Sequence, residues 1–238
     1  MAQAKNQRVA VITGASQGIG AGLVAAYRER GWAVIASART IRPAEDPAVR
    51  AVEGDIRDSA TADRIVGEAL RQFGRIDTLV NDAGIYLGKA FTDYTRDDYD
   101  TVVGVNLTGF FILTQRVVTE MLARSGGHIV NMSATVAERP NSAVPSVLAA
   151  LTKGGIAAAT RSLAIEYAHR GIRVNAISPG IIQTPLHAPD SYTASAALVP
   201  VGRVGQVSDI VEGVLFLESS PYITGEILHI DGGQIAGH

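Results

Sequence analysis

Residues 13–20 read TGASQGIG and directly follow an apolar run, VAVI, at positions 9–12. Three glycines fall where a strand would turn sharply into a helix. Without Cβ atoms, such positions let the backbone approach a pyrophosphate, whose charge is favoured by free N–H groups and by the helix dipole. A glycine pattern alone would also suit a purely structural turn, but here a strand, a turn, a helix and a second strand occur together. The stretch therefore predicts a dinucleotide-binding unit, with candidate cofactor contacts at Gly14, Ser16, Gly18, Ile19 and Gly20.

The rest of the chain alternates short β-branched runs with longer helical patterns, which is typical of a parallel sheet covered by helices on both faces. The first helix is predicted to stop at Gly31, and long helices are predicted over Asp97–Arg124 and Ser146–His169. We predict one Rossmann-type, doubly wound α/β domain over residues 1–238, with about seven parallel strands. The predicted strands are Arg8–Thr13, Trp32–Ala38, Val49–Glu53, Ile76–Asn81, His128–Met132, Arg173–Ile177 and Glu226–Ile230.

Two features point to the molecular surface. The stretch Pro185–Gln206 has weak periodicity and few charges, and it is predicted to be a surface excursion that forms a lid over an uncharged organic molecule. The two long helices carry more apolar residues than one sheet face needs. Their excess is either ordinary core or the contact surface of a partner subunit.

Composition narrows the function classes. A chain of 238 residues that is 47% hydrophobic and 18% charged can bury one full core. The net charge of -2 and the scattered cations argue against a nucleic-acid partner. No cysteine is present, and the first ten residues show no signal pattern. We expect no apolar run to approach the roughly 18 to 20 residues of a membrane span. We therefore expect a cytoplasmic protein without membrane partners, and since the histidines lack ligand spacing, we expect no metal.

The second strand indicates which dinucleotide is preferred. It ends ASAR, with Ala38 where a site for NAD would carry an acidic residue for the ribose 2′-hydroxyl. Arg39 follows and can pair a 2′-phosphate in a forked geometry, while Ser37 and Ser16 can add hydroxyl donors. The alternative is that Arg39 is a solvated surface residue. We predict NADP(H) as the preferred cofactor, with NAD(H) possible.

Further motifs extend this pattern: GDIRD with Asp55, NDAG from Asn81 to Gly84, VNLTG with Asn106, Lys153 in an alanine-rich helix, RVNAISPG, and ITGEILHIDGG. With TGASQGIG they make the sequence resemble the short-chain dehydrogenase/reductase family over essentially its whole length. The resemblance implies a small-molecule substrate and a homodimer or homotetramer formed through the two long helices. It also implies that Asn106 anchors a water in a proton relay. The cofactor contacts that it implies are Asp55, Ile56, Asn81, Ala83, Gly84, Lys153, Pro179, Gly180, Ile182 and Thr184.

The catalytic motif departs from the family. The family carries Tyr-x-x-x-Lys, two residues one helical turn apart, so that the Lys cation lowers the phenol's pKa. Here Ala149 stands four residues before Lys153, and Ala134 stands where the family has its catalytic Ser. Ser133 and Thr135 flank Ala134 and offer hydroxyls. A smaller departure is Asp82, where the family usually has Asn.

Three other residues are candidate proton donors. His187 lies where the family's lid begins, and imidazole titrates in a suitable range, although a single loop histidine is more often a surface residue. Tyr86 and Tyr192 offer phenols from new directions or simply line the pocket. Lys153 either takes part in catalysis or only binds the nicotinamide ribose.

Three functions follow. The first is an NADP(H)-dependent oxidoreductase acting on a carbonyl, imine or activated conjugated group of a small molecule, with altered proton delivery. The second is a cofactor-binding regulator or partner subunit without redox turnover. The third is non-redox chemistry on the same scaffold. We favour the first because Lys153 and Asn106 remain in an otherwise altered motif.

Overall fold

The structure is a computed structural model that describes residues 7–142, 144–186 and 192–237. Its centre is one parallel sheet with the strand order β3–β2–β1–β4–β5–β6–β7. The predicted seven-stranded sheet is confirmed, and the predicted strands differ from the observed ones by at most two residues at either end. The strands are β1 (Val9–Thr13), β2 (Ala33–Ala38), β3 (Val49–Glu53), β4 (Thr78–Asn81), β5 (Gly127–Met132), β6 (Ile172–Pro179) and β7 (Ile227–Ile230).

Helices cover both faces of the sheet, as a doubly wound fold requires. Helices α2, α4 and α5 contribute to the core on one face, while α1 and α7 form the core on the other. As predicted, α1 ends just before Gly31, which has a φ of 76°. The helices are α1 (Gly18–Glu29), α2 (Ser59–Phe73), α3 (Arg96–Val103), α4 (Gly109–Ala123), α5 (Val147–Tyr167), α6 (Tyr192–Ala196) and α7 (Val207–Ser219).

Strand β1 illustrates why the strands read as continuous apolar runs. Val9 and Val11 face the core on the α2 and α4 side, whereas Ala10 and Ile12 face the core on the α1 and α7 side. Successive side chains of a strand point to opposite faces, so a strand covered on both sides must be apolar at every position. Burial of β1 on both faces fixes it at the centre of the sheet.

One predicted helix is interrupted. The helix expected over Asp97–Arg124 is divided by a turn of π-helix, Gly104–Thr108, that lies between α3 and α4. A Cβ at Gly109 would lie 2.7 Å from the Ile56 side chain, so the glycine permits a close approach there. The π-turn directs the buried Asn106 side chain toward the backbone of Ile85. Such turns often occur at functional sites, and periodicity alone does not reveal them.

Residues 96–123, taken together, are long and apolar enough to cross a membrane by length and composition. They are an exception to the expectation that no such run exists. Val102, Leu113, Val117 and Met121 of this segment are buried in the protein. The apolar composition therefore fits a helix that packs on the sheet.

The predicted excursion Pro185–Gln206 is closed at its base. The Gln183 N–H donates to the Gly205 carbonyl at 2.8 Å, and the Gly205 N–H donates to the Ile181 carbonyl at 2.8 Å. Beyond this neck, Val199 is buried and α6 places the Tyr192 hydroxyl 2.8 Å from the Thr184 carbonyl, to which it donates. The excursion is thus anchored beside the carboxyl end of β6.

Candidate cofactor and active site

A cavity of ≈ 580 Å³ opens at the carboxyl ends of β1 and β4. These strands are neighbours in the sheet but not in sequence, and at this topological switch point the connections leave in opposite directions. The volume of the cavity is within the usual range for small-molecule sites, about 300–1,000 Å³. Ten predicted cofactor residues line it: Gly14, Ser16, Gly18, Ile19, Arg39, Asp55, Ile56, Ala83, Gly84 and Thr184.

The glycine turn leaves no room for side chains. Gly14 and Gly18 have φ values of 68° and 56°, in the left-handed region that favours glycine. A Cβ at Gly20 would lie only 2.4 Å from the Gly14 carbonyl oxygen, so the turn can close only with glycine at that position. The cradle fits a pyrophosphate because backbone N–H groups at the start of α1 can reach it without obstruction.

The opposite end of the cavity is built by the ends of β2 and β3. Arg39 lines it together with Ser37 and Thr40. Asp55 also lines this end and is held by Arg57, whose Nη2 donates to Asp55 Oδ2 at 2.7 Å. The hydrogen bonds from Arg57 lower the pKa of Asp55 despite partial burial, and the carboxylate stays charged at neutral pH.

Asn81 supports the site from behind. It is buried and does not line the cavity. Its amide donates to Thr114 at 3.0 Å and to the Asn131 side chain at 2.9 Å. Thr13 makes a similar link, because its hydroxyl accepts the N–H groups of Asp82 and Ala83 at 3.1 and 3.0 Å. These polar contacts hold the ends of β1, β4 and β5 together.

The segment after β6 lies outside the cavity lining until Thr184. The Pro179 carbonyl accepts from the Thr135 hydroxyl at 3.0 Å, and Ile182 is buried. A Cβ at Gly180 would lie 2.3 Å from Gln234 Oε1, so Gly180 makes room for the C-terminal segment. In this structure Pro179, Gly180 and Ile182 position Thr184, and Thr184 is the residue that reaches the cavity.

Lys153 lies at the inner end of the site. Its ammonium donates to the Met132 carbonyl at 2.8 Å, and a Cβ at Gly84 would lie 3.1 Å from Nζ. Burial lowers the pKa of Lys153 to about 8, against the opposing charge of Asp82. The pKa of Lys153 is therefore closer to neutral pH, where proton transfer is efficient, than the pKa of an exposed lysine.

Asn106 is fully engaged with protein groups. Its Oδ1 accepts the Ile85 N–H at 2.9 Å, and its amide donates to the Ile85 carbonyl at 3.0 Å and to Thr152 at 3.1 Å. Thr152 directly precedes Lys153 in α5. Asn106 therefore fixes the loop after β4 against the helix that carries Lys153.

The hydroxyls of Ser133 and Thr135, on either side of Ala134, are directed at backbone carbonyls and not at the cavity. Ser133 is buried, and its hydroxyl donates to the Lys153 backbone carbonyl at 3.1 Å, while Thr135 donates to Pro179. Neither residue lines the cavity. In this arrangement both hydroxyls already have backbone acceptors.

Ala149 lies in α5 one turn before Lys153 and is buried. Tyr192 donates to the Thr184 carbonyl, so its hydroxyl lies at the rim of the cavity. The Tyr86 hydroxyl lies near Gly88, where a Cβ would approach it to 2.7 Å. His187 lies outside the described residues.

Asp82 lies against the glycine turn, a proximity that the sequence analysis did not predict. Its carboxyl oxygen Oδ2 is 3.0 Å from where a Cβ would stand at Gly14 and 2.9 Å from the same point at Gly20. Burial raises the pKa of Asp82 to about 7, against lowering by the Lys153 charge and the Gly20 N–H. The carboxyl is therefore poised between its two charge states at neutral pH.

Sequence reasoning missed several lining residues, because they become neighbours only in the folded chain. Val105 precedes the recognised Asn106, and Leu186 belongs to the recognised lid, so both were within reach of the motifs. Within the described ranges no three His, Asp or Glu side chains gather as a metal site. The lining residues that the sequence did not indicate as cofactor contacts are Thr13, Gln17, Thr40, Gly54, Asp82, Ile85, Val105, Pro185 and Leu186.

The parallel sheet and the glycine turn at its switch point define a Rossmann-type nucleotide-binding domain. The family profile described as enoyl-(acyl carrier protein) reductase matches residues 14–234. A 3-oxoacyl-[acyl-carrier-protein] reductase from Thermotoga maritima is 35% identical over 96% of this chain and 98% of its own length. The chain belongs to the short-chain dehydrogenase/reductase family.

Solved structures agree with this assignment. The structure of ElxO with NADP bound superposes with a TM-score of 0.91 at 26% identity, covering 97% of this chain and 99% of that one. A 3-ketoacyl-(acyl-carrier-protein) reductase from Brucella melitensis complexed with NADH gives 0.89 at 31% identity, covering 96% of this chain and 98% of that one. The relatives thus include proteins solved with either nicotinamide dinucleotide.

Proposed function

We propose that this protein is an NADP(H)-dependent oxidoreductase that reduces a carbonyl, imine or activated conjugated group of a small organic molecule, with Lys153 supplying the proton. The observation that carries the proposal is the position of the Lys153 ammonium, which adjoins Gly84 of the cavity lining while Ala149, one turn earlier, carries no phenol. A nicotinamide cofactor would supply the hydride when bound.

The cavity offers a binding role to each end of the dinucleotide. Arg39 would pair the 2′-phosphate and favour NADP(H) over NAD(H). The turn around Gly14 and Gly18 would hold the pyrophosphate, with Ser16 and Ile19 beside it. Ala83, Gly84 and Thr184 would orient the nicotinamide end next to Lys153.

Lys153 is suited to donate a proton because burial brings its pKa to about 8. An acid works best when its pKa is near the operating pH, so this ammonium releases its proton more readily than an ordinary lysine. The proton passes from Nζ to the reduced group of the substrate, and the neutral amine regains a proton from solvent. The Met132 carbonyl, which accepts from Nζ at 2.8 Å, holds the amine in place between turnovers.

Loss of the usual acid limits the substrates. A positioned general acid contributes about 10²–10⁴ in rate, whereas holding the reactants together contributes about 7–11 kcal/mol. A protein that retains its cofactor-binding turn would keep the contribution from holding the reactants together. Groups activated enough to be reduced with a single ammonium as the acid, such as imines and activated conjugated acceptors, are therefore the favoured substrates.

A second candidate is a cofactor-binding protein without redox turnover, serving as a regulator or a partner subunit. The observation that favours it is the orientation of Ser133, whose hydroxyl donates to the Lys153 carbonyl and is not directed at the cavity. With Ala134 beside it and Ala149 in α5, both usual donors of the family are replaced by methyl groups.

We also propose that copies of the chain associate as a homodimer or homotetramer. Phe111 of α4 and Leu151 and Ile165 of α5 are 62%, 52% and 79% exposed. Large apolar side chains on neighbouring helices are favourable material for a symmetric interface. A sedimentation mass equal to one chain would contradict this.

The first experiment compares the wild type with Lys153→Ala and with the matched control Lys89→Ala, whose lysine pairs with Asp98 away from the cavity. Each protein is titrated with NADPH and NADH by fluorescence and then screened against ketones, quinones, imines and enones. We expect Lys153→Ala to lower turnover per bound cofactor about 100-fold or more, as loss of a general acid predicts. Unchanged turnover per bound cofactor would exclude Lys153 as the donor, and cofactor binding without turnover in the wild type would favour the second candidate.

Cofactor preference is tested by Arg39→Ala, with Arg71→Ala as control, because Arg71 is exposed on α2 and pairs with Glu68 away from the cavity. Removing a charge-assisted pair costs about 1.5–3 kcal/mol, so the Kd for NADPH should rise about 10- to 100-fold. The Kd for NADH should change less than about twofold, because NADH lacks the 2′-phosphate. Equal effects on both cofactors would contradict the assigned role of Arg39.

A further inference from the structure

We propose that Asp82 couples dinucleotide binding to the uptake of a proton, so that the site binds a nicotinamide dinucleotide tightly only while the Asp82 carboxyl is neutral. The inference deepens the proposed function and rests on it, because it assumes that the glycine turn receives the pyrophosphate. It concerns affinity, not hydride or proton transfer to a substrate.

The geometry places an acid inside an anion-binding turn. Asp82 Oδ2 lies 3.0 Å from where a Cβ would stand at Gly14 and 2.9 Å from where one would stand at Gly20. Asp82 also lines the cavity. Any side chain larger than hydrogen at those two glycines would therefore meet the carboxyl, and the turn closes over it.

An ionised Asp82 would oppose the ligand in two ways. Gly20 lies in the first turn of α1, and its N–H faces Asp82 from the same helix end that would attract the pyrophosphate. A carboxylate there satisfies part of that positive potential from within the protein. It also repels the phosphate oxygens directly, because like charges in a partly enclosed site are poorly screened.

The surroundings of Asp82 offer little to offset its charge. Thr13 of β1 contributes a hydroxyl that accepts the Asp82 backbone N–H, and α1 contributes the Gly20 N–H. Lys153 of α5 is the charged side chain that acts on Asp82 among the described residues, and its ammonium is hydrogen-bonded to Met132 instead. With a pKa of about 7, the carboxyl is about half protonated at neutral pH, and a bound pyrophosphate raises that pKa further.

Binding and protonation are therefore linked. Above the pKa of the free protein, each pH unit should weaken binding by up to about tenfold, until the pKa of the complex is reached. At pH 7 the complex should take up close to half a proton. Lys153 contributes little at that pH, because its pKa of about 8 keeps it mostly protonated with or without ligand.

The test measures the Kd for NADH from pH 6 to pH 8.5 in the wild type, in Asp82→Asn and in the exposed control Asp93→Asn. NADH is the probe because the 2′-phosphate of NADPH titrates in the same range. We expect the wild type and Asp93→Asn to bind about 10-fold or more weakly at pH 8.5 than at pH 6.5. Asp82→Asn should show a much smaller change, confined to the range in which Lys153 loses its proton, and should bind several-fold more tightly than the wild type at pH 7.5.

Calorimetry in two buffers of different ionisation enthalpy counts the protons taken up by the wild type at pH 7, so the test does not depend on the folding of any variant. Uptake near half a proton supports the proposal, and uptake near zero overturns it. Lys153→Met adds an independent check, since loss of its charge should shift the weakening of NADH binding to higher pH. A pH dependence that Asp82→Asn leaves unchanged also overturns the proposal.

The outcomes separate the two proposals. NADH binding that depends on pH without any substrate turnover would sustain this inference and contradict the proposed function. Turnover with pH-independent NADH binding would support the proposed function and contradict this inference. Failure to bind NADH at any pH would contradict both.

Discussion

Two partly buried carboxyl groups lie at opposite ends of the same sheet. Asp82 follows the carboxyl end of β4, whereas Glu218 of α7 lies against Thr78, at the amino end of that strand. Glu218 Oε2 accepts from Thr78 Oγ1 at 2.9 Å, from the Tyr27 hydroxyl at 3.2 Å and from His128 Nδ1 at 2.9 Å. Asp82 has the Gly20 N–H and the more remote Lys153 charge.

The pKa values of the two groups are shifted in opposite directions. For each, burial is the largest influence and favours the neutral form. In Glu218 the donors, led by His128, outweigh burial and lower its pKa, whereas Asp82 has too few and its pKa rises to about 7. Asp82 is the more strongly desolvated of the two and has fewer hydrogen-bond donors, and both differences favour its neutral form.

The His128 ring explains how the lower network is satisfied. Burial lowers the pKa of His128, so the ring is neutral near pH 7. Its Nδ1–H donates to Glu218, and its Nε2 accepts from the Asn175 amide at 3.2 Å. The amino end of the sheet is thus a saturated network that stabilises the fold, while the carboxyl end keeps an unsaturated acid beside the cavity.

The largest expected effect comes from breaking the saturated network with Glu218→Ala. Three donors would lose their acceptor, and removing one partner of a buried charged network costs about 3–5 kcal/mol of unfolding free energy. Urea unfolding at pH 7.5 measures it. The control is Glu212→Ala on the exposed side of the same helix, and a loss under about 1 kcal/mol in both variants would remove the contrast between the two ends.

Asp82→Asn should raise the free energy of unfolding, which is the opposite of the effect of Glu218→Ala. The pKa of Asp82 is about 7 in the folded chain and 3.8 as an ordinary value, so the folded state without ligand loses stability as the pH rises from about 4 to 7. The Asn variant should therefore be about 1–3 kcal/mol more stable than the wild type at pH 8 and show no gain at pH 4. Chemical denaturation at the two pH values measures the difference, and a variant that is destabilised at pH 8 would contradict it.

The smallest effect should come from His128→Gln. The pKa of His128 is lowered in the folded chain, so the unfolded chain binds a proton first as the pH falls below 6.5. The wild type should lose about 1 kcal/mol between pH 6.5 and pH 5.5 through this group, and His128→Gln should lose correspondingly less over the same interval. The exposed His169→Gln is the control, and identical slopes in all three proteins would show that the His128 contribution is absent.

The same contrast explains what could be predicted from sequence. Apolar runs and the glycine turn are local patterns, so the seven strands and the position of the turn between β1 and α1 were predicted correctly. Asp82 was noticed only as a departure from a motif, because its proximity to Gly20 depends on the alignment of β1 with β4. The π-turn at Gly104–Thr108 also escaped prediction, since one inserted residue barely disturbs helical periodicity.

Side-chain direction was the other limit. The sequence offered Ser133 as a substitute hydroxyl, but a spacing of one residue along a strand end does not say which way an oxygen points. The fold turns that hydroxyl toward the Lys153 carbonyl. It also places Asn81 behind the cavity, where it joins strands and does not line the site.

The neck between Ile181 and Gly205 has an evolutionary consequence. Its backbone hydrogen bonds fix both ends of the excursion to the sheet, whatever lies between them. Doubling the length of such a loop costs only about 0.6 kcal/mol of closure entropy. Descendants of this chain can therefore exchange the part of the excursion beyond Leu186 for a longer or shorter one, while the cavity lining up to Leu186 is inherited unchanged.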